Sequence, residues 1–306
     1  MMLHSKTKKL VCWLTCVLIL GTVSCRQDNT GSGAREAGLT DEEILESVEK
    51  IEQIKKIYHL IPSPGEMLSV LNIGGLDFNG DLLNPTSHID NYLDSKSSTL
   101  NLGVYTTDLA FAAIFGRHEE TIEYLEAVRK LSEEARVEEA IDENLLARAR
   151  GNVQDLDTLF VISNDAFISM ITYCEKNHRS NSMVLITAGA FVESLYLATS
   201  LAESSAEAEY LIQHLADQKY SIENLLVFAK SLENDPNVSE ILAVLKPLED
   251  IYNALDQSPG ETRVKKEATG KLIIGGGNQP VLSLEEYENL RKTVIQIRNE
   301  VITGTI

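Results

Sequence analysis

Four residues on two apolar segments carry the most chemistry in this chain. Tyr105 and Asp108 are three apart in one segment, and Glu193 and Tyr196 are three apart in another. On a helix, residues at that spacing share a face. A carboxylate in apolar surroundings must find hydrogen bonds or take up a proton. Two functions fit the spacing: a ligand pocket or acid/base pair between the two segments, and an internal network that sets helix register. The network is the simpler reading, because structural networks also perturb carboxylates. Asn164 and Asp165 form a third polar pair on an apolar stretch.

Other catalytic patterns are missing from the sequence. His118-Glu119-Glu120 runs into Thr121-Ile122, so there is no HExxH, and His59, His88, His118, His178 and His214 lack ligand spacing. No GxSxG elbow is present. Gly270-Lys271 is followed by Leu272 and has Lys265 five residues before it, which excludes a phosphate-binding loop. Asp77-Phe78-Asn79-Gly80-Asp81 looks like a calcium loop, but its glycine comes fourth and His88 stands where the bidentate Glu belongs, leaving a turn. Cys174 has only His178 near it in sequence and reads as a buried thiol. No catalytic residue, cofactor or metal ligand is assigned.

These residues are positioned by helices. Thr40-Asp41-Glu42-Glu43 opens one, with acids in the first turn, and Ile44, Val48, Ile51, Ile54 and Ile57 follow at helical spacing. Ser63 caps a second with Pro64 at its first position. A short helix is expected around Ser87 to Leu93, and Leu100 to Phe115 and Asn181 to Leu201 are apolar all round and therefore central. Glu119 to Arg136, Asp142 to Arg150, Asp155 to Lys176, Glu207 to Lys219, Ile222 to Leu232 and Ser239 to Leu255 read as further helices. The stretch from Asp256 to Ser283, rich in glycine, reads as a loop or as a small hairpin using Val264 and Leu272-Ile273-Ile274. Ser283-Leu284-Glu285-Glu286 caps a last helix with Leu290, Val294, Ile297 and Val301 on one face. The fold class is all-α, a multi-helix bundle of about nine or ten helices.

At an offset of 86, Gly103 to Ala112 lies over Gly189 to Ala198, and Glu123-Tyr124-Leu125 over Glu209-Tyr210-Leu211. Glu143-Asn144-Leu145-Leu146 also matches Glu223-Asn224-Leu225-Leu226. Either a helical unit is duplicated, or Leu/Ala/Glu-rich helices match by composition. Duplication predicts that Gly103 and Gly189 occupy equivalent, facing positions.

The N-terminus reads as an address. Lys6, Lys8 and Lys9 precede the apolar run Leu10 to Leu20, and Gly21-Thr22-Val23-Ser24 lead into Cys25. This is the order of a secretory signal, and the run is shorter than the ~20 residues that span a bilayer. With a cysteine at the cut site it resembles a bacterial lipoprotein signal, departing from the usual pattern at Thr22. That resemblance implies a signal peptide over residues 1–24, Cys25 carrying palmitate or a similar acyl chain, and a Gly/Ser-containing tether over 25–39. A single helical domain then covers 40–306. Maturation removes Cys12, Cys16 and Trp13, leaves Cys174 without an intrachain disulfide partner, and takes the formal charge from −19 to −22. Such acidity argues against nucleic acid as a partner.

Pro62-Ser63-Pro64-Gly65-Glu66, Leu83-Asn84-Pro85 and Asn101 to Leu109 are similar to segments of uncharacterised helical lipoproteins of Bacteroidota. The resemblance runs from about Thr40 to Leu201. It implies a cell-envelope location on the periplasmic side or cell surface and assigns no functional residue. The expectation is a non-enzymatic lipoprotein anchored at Cys25 that binds an unknown protein or small molecule. The alternative is an envelope enzyme using Asp108 and Glu193.

Overall fold

The computed structural model describes residues 56, 58–72, 76–141, 143–152, 155–202, 205, 208–259, 263–266, 272–275 and 278–306. Cys25, the signal and tether segments, and nearly all of the helix expected from Thr40 to Ile57 lie outside them, as do Gly74-Gly75 and Gly270-Lys271. The fold is all-α, with nine α-helices among the described residues. The first is short: α1 (Pro64–Leu68) starts from a capping box in which Ser63 and Glu66 exchange hydrogen bonds of 2.8 and 3.3 Å, with Pro64 in the first turn. Three 3₁₀ turns follow, Ser69–Asn72, Gly80–Leu82 and Thr86–Asn91. The last is the short helix expected near Ser87 to Leu93, formed as a 3₁₀ turn whose leading residue, Pro85, supplies no side-chain cap.

The bundle proper consists of α2 (Ser95–Ile114), α3 (His118–Glu134), α4 (Glu143–Gly151), α5 (Leu156–Lys176), α6 (Ser180–Ala202), α7 (Ala208–Lys230), α8 (Pro236–Ala254) and α9 (Leu284–Thr303). Helix α2 begins five residues before Leu100 because the Asp94 carboxylate caps it, accepting from the Lys96 and Ser97 amides at 3.0 Å. Helix α7 corrects the sequence reading, which expected two helices there. Tyr220 and Ser221 include no glycine or proline to break it, and Ser221 bonds back to Gln218 at 2.9 Å. Pro247 lies inside α8, on its exposed side, where the carbonyl that loses its partner can meet water.

Helices α2 and α6 form the centre and pack on one another more extensively than any other pair. Every residue of α2 from Ser97 to Ala113 is buried. Helix α6 is long and apolar enough to cross a membrane, with mean hydropathy 1.6, but 89% of that window is buried among other helices. Two glycines set the approach. A Cβ on Gly103 would lie 2.0 Å from the Ile186 carbonyl oxygen, and one on Gly189 would lie 2.0 Å from that of Leu100. The two glycines thus serve reciprocally at one crossing, as facing positions require. At the same crossing Thr107 Oγ1 donates to the carbonyls of Gly103 (3.0 Å) and Ala190 (3.2 Å).

A hairpin interrupts the helices before α9. Its outer ladder pairs β1 (Gln257–Pro259) with β4 (Asn278–Pro280), and its inner ladder pairs β2 (Arg263–Lys266) with β3 (Leu272–Gly275), both antiparallel. Val264 lies opposite Ile274, the hairpin alternative of the sequence reading.

Candidate functional site

The α2/α6 crossing brings Asp108 and Glu193 together in the core, each with no solvent exposure. Helix α9 supplies a third member, Arg298. Its Nε donates to Glu193 Oε2 at 2.7 Å and its NH2 group to Oε1 at 2.9 Å, a two-pronged ion pair. The same NH2 group also donates to the Leu82 carbonyl at 3.0 Å. The guanidinium carbon lies 4.0 Å from the centre of the Tyr196 ring, so Tyr196 covers the pair with its π face.

The second half of the cluster grips the loop Leu82 to Pro85. Asp108 Oδ2 accepts from the Asn84 amide at 3.1 Å. Tyr105 donates to the Pro85 carbonyl at 2.6 Å and Tyr124, on α3, to the Asn84 carbonyl at 3.0 Å. The Asn84 side chain donates to the Tyr92 hydroxyl at 2.9 Å, and the Tyr92 hydroxyl in turn donates to the Ile302 carbonyl at 3.1 Å. Side chains from α2, α3 and α9 therefore satisfy the backbone of an irregular segment that must be buried, a requirement with a penalty of roughly 1–3 kcal/mol per unmet group. Burial pushes the Tyr92, Tyr105 and Tyr124 hydroxyls above their ordinary range, so they act as neutral hydrogen-bond donors.

The charges do not balance: two carboxylates face one guanidinium away from water. Burial, then the neighbouring Glu193 carboxylate, pushes Asp108 well above the usual carboxyl range. Burial also raises Glu193, against the pull of Arg298 and of a hydrogen bond from Asp108. Asp108 Oδ1 meets no N–H or O–H donor. One proton resolves both observations. The directions place that proton on Asp108, the carboxyl without an arginine, while Arg298 favours the ionised form of Glu193.

Family models, curated proteins and solved structures were compared with the chain, and nothing matches. The site must therefore be read from its own geometry. Tyr105, Asp108, Glu193 and Tyr196 do come together, as one network spanning α2 and α6. Asp108 and Glu193 are sealed, with no face open to a substrate, which favours the network over an acid/base pair. Asn164 and Asp165 stand apart, Asp165 pairing with Arg148 at 3.2 Å. Cys174 is fully buried, and burial pushes its thiol up to about 11, away from the thiolate a nucleophile needs. Among the described residues no three His, Cys, Asp or Glu side chains gather as a metal site.

Sequence reasoning missed Arg298, Asn84, Tyr92 and Tyr124. Arg298 left a signal, since it follows Val294 by four and precedes Val301 by three. That puts a charge on an otherwise apolar helix face. Asn84 left none, because its role depends on tertiary contacts.

Proposed function

We propose that the chain is a lipid-anchored protein of the bacterial cell envelope that works by binding a partner or small ligand, without catalysis at its buried carboxylates. The observation that carries the reading is the N-terminal order of lysines, apolar run, small residues and Cys25. Cys25 holds the acyl chains, and two or more of them are needed for stable anchoring. The likeness to helical lipoproteins of Bacteroidota supports the same location. The closed geometry of Asp108, Glu193 and Arg298 supports the non-catalytic half. A carboxylate whose oxygens are engaged and shielded from water has no route for passing a proton to a substrate.

Radioactive palmitate tests the anchor. Label should enter the wild-type chain in its bacterial host and be lost in Cys25→Ala. Label retained in that variant would refute the assignment.

A further inference from the structure

Two adjoining clefts lie at the end of the bundle where α5 turns into α6, at a distance from the buried network. Their volumes are about 200 and 250 Å³. Tyr58, His59 and Glu175 line both, forming the wall between two lobes. An apolar cavity of about 150 Å³ holds a benzene molecule, so each lobe has room for one ring or a short alkyl group.

The shared wall has aromatic and anionic character. The Tyr58 ring packs on Phe228 at 4.8 Å between centres and edge-on to His59 at 5.9 Å, while its hydroxyl is spent on Thr187 at 3.0 Å. The Glu175 carboxylate stands 4.0 Å from His59 Nε2, too far for a hydrogen bond, and its side chain keeps 35% exposure. Glu66, on the rim of the larger lobe, adds a second carboxylate. Among the described residues no lysine or arginine lines either lobe. The adjacent Arg179 is committed elsewhere, to the carbonyls of Ala135 and Arg136 and to Ser182. Met183 floors the smaller lobe, and Phe167 and Ile171 the larger.

We propose that this double cleft binds a small organic cation, an amine bearing an aryl or short alkyl group. The ammonium sits at the shared wall against Glu175 and the Tyr58 ring, and the apolar part fills the smaller lobe over Met183. Carboxylate beside aromatic rings is the chemistry that recognises amines, while a carboxylate ligand would meet two like charges. The inference rests on the ligand-binding half of the proposed function and is independent of the lipid anchor.

The test uses the full chain labelled with ¹³C-methyl methionine and three probes of equal size: phenethylamine, 2-phenylethanol and phenylacetate. Phenethylamine should shift the Met183 methyl signal saturably, 2-phenylethanol weakly and phenylacetate not at all. Glu175→Gln, a change at a half-exposed position, should weaken phenethylamine about tenfold, as loss of a charge-assisted contact does. Ile168→Trp, at the exposed edge of the larger lobe, is the control and should leave the affinity unchanged; an equal loss there would move the ligand out of the smaller lobe and overturn the proposal. Equal response to amine and carboxylate, an unchanged affinity in Glu175→Gln, or a silent Met183 at millimolar probe overturns the proposal. Saturable shifts confined to Met67 and Met170 also overturn this site, while leaving the ligand-binding reading standing.

Discussion

Glu193 of α6 and Arg298 of α9, 105 residues apart, meet in a buried two-pronged ion pair of 2.7 and 2.9 Å. Burial alone would lower Arg298, but the adjacent Glu193 carboxylate outweighs it and keeps the guanidinium charged. The pair also ties the Leu82 carbonyl to the last helix. Removing one partner leaves a charge stranded in the core, a loss of about 3–5 kcal/mol. Arg298→Met should therefore lower the urea midpoint sharply. The double variant Arg298→Met/Glu193→Leu should recover much of the loss. Equal instability of single and double variants would show that the stranded charge is not the cause.

The shared proton predicts a pH dependence. Asp108 has a folded pKa raised above its unfolded value near 3.9. Its contribution is fully present below that unfolded value and is lost as pH rises through the raised folded value. Asp108→Asn imitates the neutral acid and cannot ionise. Its stability relative to wild type should improve as pH rises from the unfolded value near 3.9 through the raised folded value, measured by urea unfolding. A difference independent of pH would mean that Asp108 is ionised in the fold.

The glycine crossing tolerates no side chain. Gly103→Ala or Gly189→Ala drives a methyl group to 2.0 Å from a backbone carbonyl, which cannot rotate away. Each should cost about 3 kcal/mol or more and lower the melting temperature by several degrees in circular dichroism. Gly151→Ala is the control, since a Cβ there meets nothing within 4 Å, and should leave stability unchanged or slightly higher.

Helix α3 ends on Arg136, which adopts φ of 58° so that the Val137 amide can reach the Ser132 carbonyl at 2.8 Å. A side chain in the left-handed region costs about 1–2 kcal/mol, part of which glycine returns as chain entropy in the unfolded state. Arg136→Gly should raise stability by roughly 0.5 kcal/mol. A loss in the denaturant midpoint would show that the arginine makes a compensating contact.

Cys174 supplies a thiol count. With no solvent exposure and a thiol pushed up to about 11, it should resist a disulfide reagent in the native chain and react on unfolding. Reaction of the native chain at the unfolded rate would place Cys174 at an open surface.

Helix positions were largely legible in the sequence, because capping and periodicity are local. Ser63 with Pro64, Ser283 with Glu286, and the all-apolar faces of α2 and α6 each state their structure within a few residues. The errors were also local in kind. Asp94 caps α2 ahead of its apolar stretch, and α7 runs unbroken through the polar pair Tyr220-Ser221. In the site, Asp108 and Glu193 were visible as carboxylates on apolar helices. Their partners were not, because Asn84 reaches Asp108 across 24 residues and Arg298 reaches Glu193 across 105.

By itself the sequence determined most helix positions, the all-α class and the two central helices, since these follow from residue spacing. It also determined that Gly103 and Gly189 could face one another, through their matched positions in two similar segments. Only the tertiary structure decided what the carboxylates do. A carboxylate on an apolar helix fits both a pocket and a network, the network being the simpler reading, until its neighbours are known. Here Arg298 and the Leu82 to Pro85 loop close over it, and two buried carboxyls facing one guanidinium raise Asp108 above the usual carboxyl range.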